Sequence, residues 1–97
     1  MPKSNPKAKV KRRRALFRLE APEAREVILT GDFKNWNTEA HPMKKNRHGV
    51  WEKTMMLPAG RYEYKFLIDG RWRNDPKNQD ICHNCFGTFN NVLIVCE

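Results

Sequence analysis

Trp36, Trp72, Lys65 and the pair Asn90-Asn91 are the residues of this 97-residue chain whose types and placing ask for a chemical explanation. Three tryptophans exceed what the core of a small domain needs. Trp51 lies in a strand-like run and reads as core. Trp36 falls in Asp32-Phe33-Lys34-Asn35-Trp36-Asn37, a short segment rich in turn formers, where one of Phe33 and Trp36 can be a buried anchor. Trp72 follows Asp69-Gly70, a turn signal. Either indole alone fits partial burial as well as a ligand platform. Beside Lys65 and the asparagine pair, the platform reading gains. An indole is large and rigid, with an electron-rich face that can cover the C–H face of a sugar ring at low entropic cost. A lysine ammonium offers three donors and an asparagine amide offers both a donor and an acceptor, which suits a rim of hydroxyls. Two such rings along a curved surface would hold successive turns of an α-glucan.

Other chemistries find less support. The acids Asp32, Glu52, Glu63, Asp69, Asp75 and Asp80 are scattered singly, whereas glycoside hydrolysis needs two carboxylates facing across a cleft. The one serine is Ser4, no nucleophile motif is present, and no glycine-rich phosphate loop occurs. The expectation is a protein that is not an enzyme and needs no cofactor. The odd count of cysteines, Cys82, Cys85 and Cys96, argues against a disulfide framework. Cys82-His83-Asn84-Cys85 is a single Cys-x-x-Cys. Cys96, His83, His41 and His48 could complete a four-ligand zinc set, but no spacing favours it. A redox pair would normally open a helix, and none is evident. Plain loop cysteines are the favoured reading, with zinc and redox as the alternatives.

The elements that must position these residues follow from periodicity. Tyr62, Tyr64, Phe66 and Ile68 alternate with Glu63, Lys65, Leu67 and Asp69, which predicts a strand with its aromatic face in the core and Lys65 on the other. Asp69-Gly70 then makes a tight hairpin into a short return strand, Arg71-Trp72-Arg73. Further strands are expected at Ala15–Glu20, Arg25–Gly31, Val50–Leu57 and Val92–Val95. Pro58-Ala59-Gly60 predicts an antiparallel hairpin between Val50–Leu57 and Tyr62–Ile68. The segment from Asn74 through Gly87 reads as loop. Short strands with frequent turn signals and no helix-period stretch predict an all-β antiparallel sandwich.

The formal charge of +8 is unevenly spread. Residues 1–14 carry +7 and the remaining 83 only +1. The chain therefore divides into a basic flexible tail, 1–14, and a nearly neutral domain, 15–97. Such tails are usually solvated, though they can bind nucleic acid through phosphates. No apolar run is long enough to span a membrane, and no secretory signal is present, so a cytoplasmic home is the default expectation.

Val27-Ile28-Leu29-Thr30-Gly31-Asp32-Phe33-Lys34-Asn35-Trp36, the block Leu57 to Trp72 with Asn74-Asp75-Pro76, and Gly87-Thr88-Phe89-Asn90-Asn91-Val92-Leu93-Ile94-Val95 occur in an order that resembles the glycogen-binding domain of the AMP-activated protein kinase beta subunit, a module of carbohydrate-binding family 48. The resemblance covers roughly residues 15–96. It implies an immunoglobulin-like β-sandwich that binds glycogen or starch-like α-1,4-glucan, maltooligosaccharides or cyclodextrin without catalysis. By position, Trp36 and Trp72 match the family's stacking tryptophans, Lys65 and Asn90 its hydroxyl-binding residues, and Thr88 a nearby polar contact. Phe86 falls where the family commonly places a leucine that reaches into the sugar ring. A glycogen-metabolising enzyme or kinase partner is implied as well. The basic tail and the cysteine segment have no counterpart in the resemblance. They motivate a second reading, in which the sandwich is kept, the sugar site is lost, and the tail binds a protein or nucleic acid.

Overall fold

The period-two run around Tyr64 forms the central strand of one of two sheets. The computed structural model describes residues 11–34, 36–38 and 41–96. In chain order the strands are β1 (Arg12–Glu20), β2 (Val27–Gly31), β3 (Lys44–Lys45), β4 (Val50–Pro58), β5 (Gly60–Ile68), β6 (Arg71–Arg73), β7 (Ile81–His83) and β8 (Phe89–Val95). Apart from one turn of 3-10 helix at Asp32–Lys34, no helix occurs among the described residues. The first sheet has the order β1-β4-β3. The second runs β2-β5-β8-β7, with β6 also beside β5. Every strand pairing is antiparallel, as an immunoglobulin-like sandwich requires.

β5 is enclosed on both edges. Tyr64 pairs with Gly31 of β2 and with Asn91 of β8, while Phe66 pairs with Leu29 of β2 and Arg73 of β6. Thus β8 and β6 lie end to end along one edge, and β2 fills the other. The aromatic half of the alternation faces inward: Tyr64 and Phe66 are buried with Val27, Leu29 and Val95, against Phe17, Leu19, Trp51 and Leu57 of the opposite sheet. Phe66 and Leu29 are wholly inaccessible. Each such side chain contributes about 2 kcal/mol of hydrophobic stabilisation. Tyr64 packs edge-on to Phe17 with ring centroids 4.9 Å apart. Trp51 is core, as expected, and its Nε1–H donates to the Ala21 carbonyl at 2.9 Å, so its one polar atom is satisfied.

The Asp69-Gly70 hairpin forms as predicted. Both residues have positive φ, 49° and 84°, and Ile68 pairs directly with Arg71. Asp69 does more than turn the chain. Its Oδ1 accepts the N–H groups of Arg25 and Glu26 at 3.0 and 2.8 Å, and its own N–H donates to the Glu26 carbonyl at 2.9 Å. The turn is therefore fastened to the loop that precedes β2.

Three expectations need correction. β4 and β5 do not pair as a hairpin. Pro58-Ala59-Gly60 carries the chain from one sheet to the other, because both edges of β5 are already occupied and the inward faces of β4 and β5 meet across the core. Ile81–His83, read as loop, is a strand paired with the start of β8, which itself begins at Phe89 rather than Val92. Finally, β1 begins at Arg12, so Arg12, Arg13 and Arg14, assigned to the basic tail, pair with Pro58, Leu57 and Met56. Residues 1–10 of that tail lie outside the described residues.

Candidate functional site

The second half of the β5 alternation builds the site. Glu63, Lys65 and Leu67 face away from the core, and the strand register adds neighbours to the same face. Thr30 lies opposite Lys65, Trp72 opposite Leu67, Val92 opposite Glu63, and Cys82 opposite Asn90. Residues directly opposite in antiparallel strands share a face, so these side chains form one surface on the outside of the second sheet. A hollow of about 600 Å³ lies on it, lined by Trp36, Lys65, Trp72, Asn84, Cys85, Phe86, Thr88 and Asn90. All six residues singled out from the sequence line this one hollow.

Three aromatic side chains border it. Trp72 is 50 % exposed and Phe86 84 %. Trp36 is half-buried and sits at φ 58°, with its N–H on the Gly31 carbonyl at 2.8 Å. A left-handed backbone is uncommon for a bulky residue, so the loop presents this indole at some conformational cost. Its sequence neighbour Phe33 is the anchor, partly buried against the core beside Phe17 and Tyr62.

The polar floor is linked side chain to side chain. Lys65 and Asn90 are only 8 % and 7 % exposed. Lys65 Nζ donates to Thr88 Oγ1 at 3.2 Å. Asn84 Nδ2 donates to the same hydroxyl at 2.9 Å and to Asn90 Oδ1 at 3.0 Å. Asn90 Nδ2 donates to Glu63 Oε1 at 2.9 Å, and Arg61 Nη1 donates to Glu63 Oε2 at 2.8 Å. The bond from Asn90, then that from Arg61, holds the Glu63 carboxyl below the usual carboxylate range. Of the three donors on Lys65, one is used by Thr88. The Thr30 hydroxyl, buried on the same face, has no hydrogen-bond partner among the described residues.

The asparagine pair divides between the two faces. Asn91, wholly buried on the inner side beside Tyr64, is a structural hub: its Oδ1 accepts from Asp75 N and Asn74 Nδ2, and its Nδ2 donates to the Asp75 and Asn78 carbonyls. Only Asn90 reaches the hollow.

Asn84 and Cys85, which were not among the proposed sugar contacts, line the hollow as well. Asn84 organises the loop after β7: its Oδ1 accepts the N–H groups of Phe86 and Thr88 at 2.9 and 3.2 Å, and its own N–H donates to the Thr88 carbonyl at 3.0 Å. An asparagine three residues before Gly87, whose φ is 81°, is a turn signal legible in the sequence. What was not legible is that this turn closes over the site. Cys82 is half-buried and Cys85 and Cys96 are exposed, all three as free thiols. Among the described residues no three His, Cys, Asp or Glu side chains stand together as metal ligands.

A smaller hollow of about 370 Å³ lies at another part of the surface, between Arg18, Leu19, Glu20, Val50, Arg73, Asp75, Pro76 and Lys77. Among the described residues no aromatic ring lines it. Its Asp75 is already engaged, accepting the Tyr64 hydroxyl and the Lys77 N–H.

Exposed rings bordering a buried lysine and a buried carboxamide are what sugar recognition asks for, and the comparison with known proteins agrees. Residues 15–97 match the glycogen recognition site of AMP-activated protein kinase. The chain belongs to that family. As a glycogen-recognition domain it is similar to the chloroplastic protein FLOURY ENDOSPERM 6 of Oryza sativa subsp. japonica, with 38% identity over 82 residues, covering 84% of this chain and 15% of the rice protein. It is similar to the chloroplastic PTST homolog 2 of Arabidopsis thaliana, with 42% identity over 72 residues, covering 74% of this chain and 13% of that protein. It is also similar to the 5'-AMP-activated protein kinase subunit beta-1 of Sus scrofa, with 35% identity over 91 residues, covering 94% of this chain and 70% of that subunit. The chain thus spans less than a sixth of the two plant relatives and about two thirds of the pig subunit.

Proposed function

We propose that this glycogen-recognition domain binds α-1,4-linked glucan, as glycogen or a starch-like chain, in the hollow on the outer face of the second sheet, and catalyses no reaction on it. The carrying observation is the convergence there of Trp36, Trp72, Lys65, Phe86, Thr88 and Asn90 from four separate stretches of the chain. The indoles of Trp36 and Trp72 stack on the C–H faces of glucose units, and Phe86 adds an apolar contact from the loop after β7. Removing about 60 Å² of apolar surface per indole from water contributes about 1.5 kcal/mol. Two indoles and a few hydrogen bonds then place the affinity at roughly the micromolar to millimolar level. Lys65, Asn90 and Thr88 bind hydroxyls. Because Lys65 and Asn90 are shielded from water, their bonds to the sugar are stronger than those of exposed side chains. Among the described residues no carboxylate lines the hollow, which supports binding over hydrolysis.

A partner that acts on glucan or phosphorylates proteins belongs to the same reading, since one relative is named as a kinase subunit. The groove then places that partner on the polysaccharide.

Titration calorimetry with β-cyclodextrin or maltoheptaose tests the proposal. Wild-type protein should give a saturable heat and a change in tryptophan fluorescence. Trp36→Ala should lose both while keeping its β-sheet circular dichroism. No heat and unchanged fluorescence at millimolar sugar would sink the reading.

A further inference from the structure

The groove contains a carboxylate one step removed from its lining. Glu63 sits beside Lys65 on β5 and faces outward with it, yet it does not border the hollow. Its two oxygens are occupied, one by Asn90 Nδ2 at 2.9 Å and the other by Arg61 Nη1 at 2.8 Å. We propose that Glu63 is a positioning residue for glucan binding: held by Arg61, its carboxylate fixes the orientation of the Asn90 amide together with Asn84, and with it the donor pattern that the groove presents. This proposal rests on the glucan-binding reading.

Hydrogen-bond valence dictates this role. An asparagine amide can turn over, exchanging its donor and acceptor ends. A carboxylate accepts only, so the Asn90 NH₂ group must face Glu63 and Oδ1 must face Asn84. Asn84, turned by the Phe86 and Thr88 N–H groups on its Oδ1, commits its Nδ2 as well, with one hydrogen on Asn90 Oδ1 and one on Thr88 Oγ1. Lys65 donates to the same Thr88 oxygen, which fills both of its lone pairs. What remains on the floor is largely donor capacity: two hydrogens on Lys65 and one on Asn90. Such a floor recognises sugar oxygens as acceptors. Without Glu63 the Asn90 amide loses one of its two fixing bonds, and only Asn84 Nδ2 on its Oδ1 holds it against a reversal that would set its NH₂ against the NH₂ of Asn84. Arg61 aims the carboxylate; its guanidinium is half exposed and contributes geometry more than stability.

The prediction concerns coupling. Glu63→Ala should bind maltoheptaose about tenfold more weakly than wild type, as expected for loss of a hydrogen bond to a charged group. Glu63→Gln retains an acceptor and should recover part of that loss. If Glu63 acts through Asn90, then adding Glu63→Ala to Asn90→Ala should cost almost nothing further. In the wild type, one of the two Asn90 side-chain amide protons should resonate downfield and be slow to exchange; in Glu63→Ala the two protons should converge. Several outcomes would overturn the proposal while leaving the glucan site standing. These are wild-type affinity in a folded Glu63→Ala, full additivity of the two alanine losses, or an Asn90 amide pair in the wild type without the downfield proton. Absence of binding by the wild type itself would instead remove the glucan reading. Should Glu63→Ala fail to fold, the Glu63→Gln titration and the wild-type amide spectrum decide alone.

Discussion

The two faces of β5 and β8 carry the same kinds of residue and use them in opposite ways. On the inner face, Tyr64 and Asn91 are buried polar groups among apolar neighbours. On the outer face, Lys65 and Asn90 are almost as buried. The difference lies in their partners. Asn91 is tied chiefly to backbone, with Asp75 N, Asp75 O and Asn78 O among its contacts. Lys65 and Asn90 are tied to side chains, namely Thr88, Asn84 and Glu63. A side chain bonded to backbone substitutes for missing sheet pairing and stabilises the fold. A polar group bonded to a few side chains keeps spare valence, which a ligand can fill. Burial alone therefore does not distinguish a structural amide from a binding one.

That contrast can be broken most strongly on the inner face. Asn91→Ala should cost about 3 kcal/mol, from several buried partners left unsatisfied, and lower the melting temperature by about 15 °C. Thermal melts monitored by circular dichroism would show it; a shift under a few degrees would remove the distinction. Next in size, Trp72→Ala on the outer face should leave the melting temperature within about 3 °C and weaken glucan binding about 30-fold, as for the loss of an aromatic hot spot. The reverse pattern, a large stability loss with binding retained, would show that the exposed indole is structural.

Tyr64 sharpens the comparison through pH. Burial, with help from the bond to Asp75, pushes its phenol well above the ordinary tyrosine range. The folded value exceeds the unfolded value of about 10, so this contribution to stability is complete below about pH 10 and is lost as pH rises beyond it. Ultraviolet titration should show one of the two tyrosines ionising only as the protein unfolds. Tyr64→Phe should be about 1 kcal/mol less stable at neutral pH, from its lost bonds to Asp75 and Asn78, yet lack this alkaline sensitivity and bind glucan normally. The smallest effect is expected at Phe86, which has almost no contact with the fold. Phe86→Ala should not change the melting temperature and should weaken binding about fivefold, the worth of part of an aromatic face.

Much of the site was legible because strand alternation is a local property. The period of two around Tyr64 put Lys65 outside, and Asp69-Gly70 put Trp72 just past a turn, so their common face follows from backbone geometry alone. Asn90 and Thr88 came from the resemblance, since no local rule says which of two adjacent asparagines faces a groove. Asn84 escaped because its segment lacks apolar alternation, and β7 is held by its pairing with β8 rather than by any propensity of its own. Glu63 escaped because a carboxylate on the outward half of a strand is unremarkable until its partners are known.

The residue pattern alone was enough for the longer strands, the tight turn after β5, the aromatic core, and the identity of the rings and donors available for a sugar. These depend on side-chain type and on spacing within a few residues. Only the assembled fold makes Pro58-Ala59-Gly60 cross between sheets, lets Asn91 close the fold while Asn90 floors the groove, and brings Asn84 and Phe86 in the loop after β7 over Lys65. Those outcomes depend on which strand edges remain free and which polar groups lack a partner after the core has closed, and both are properties of the assembled sheets.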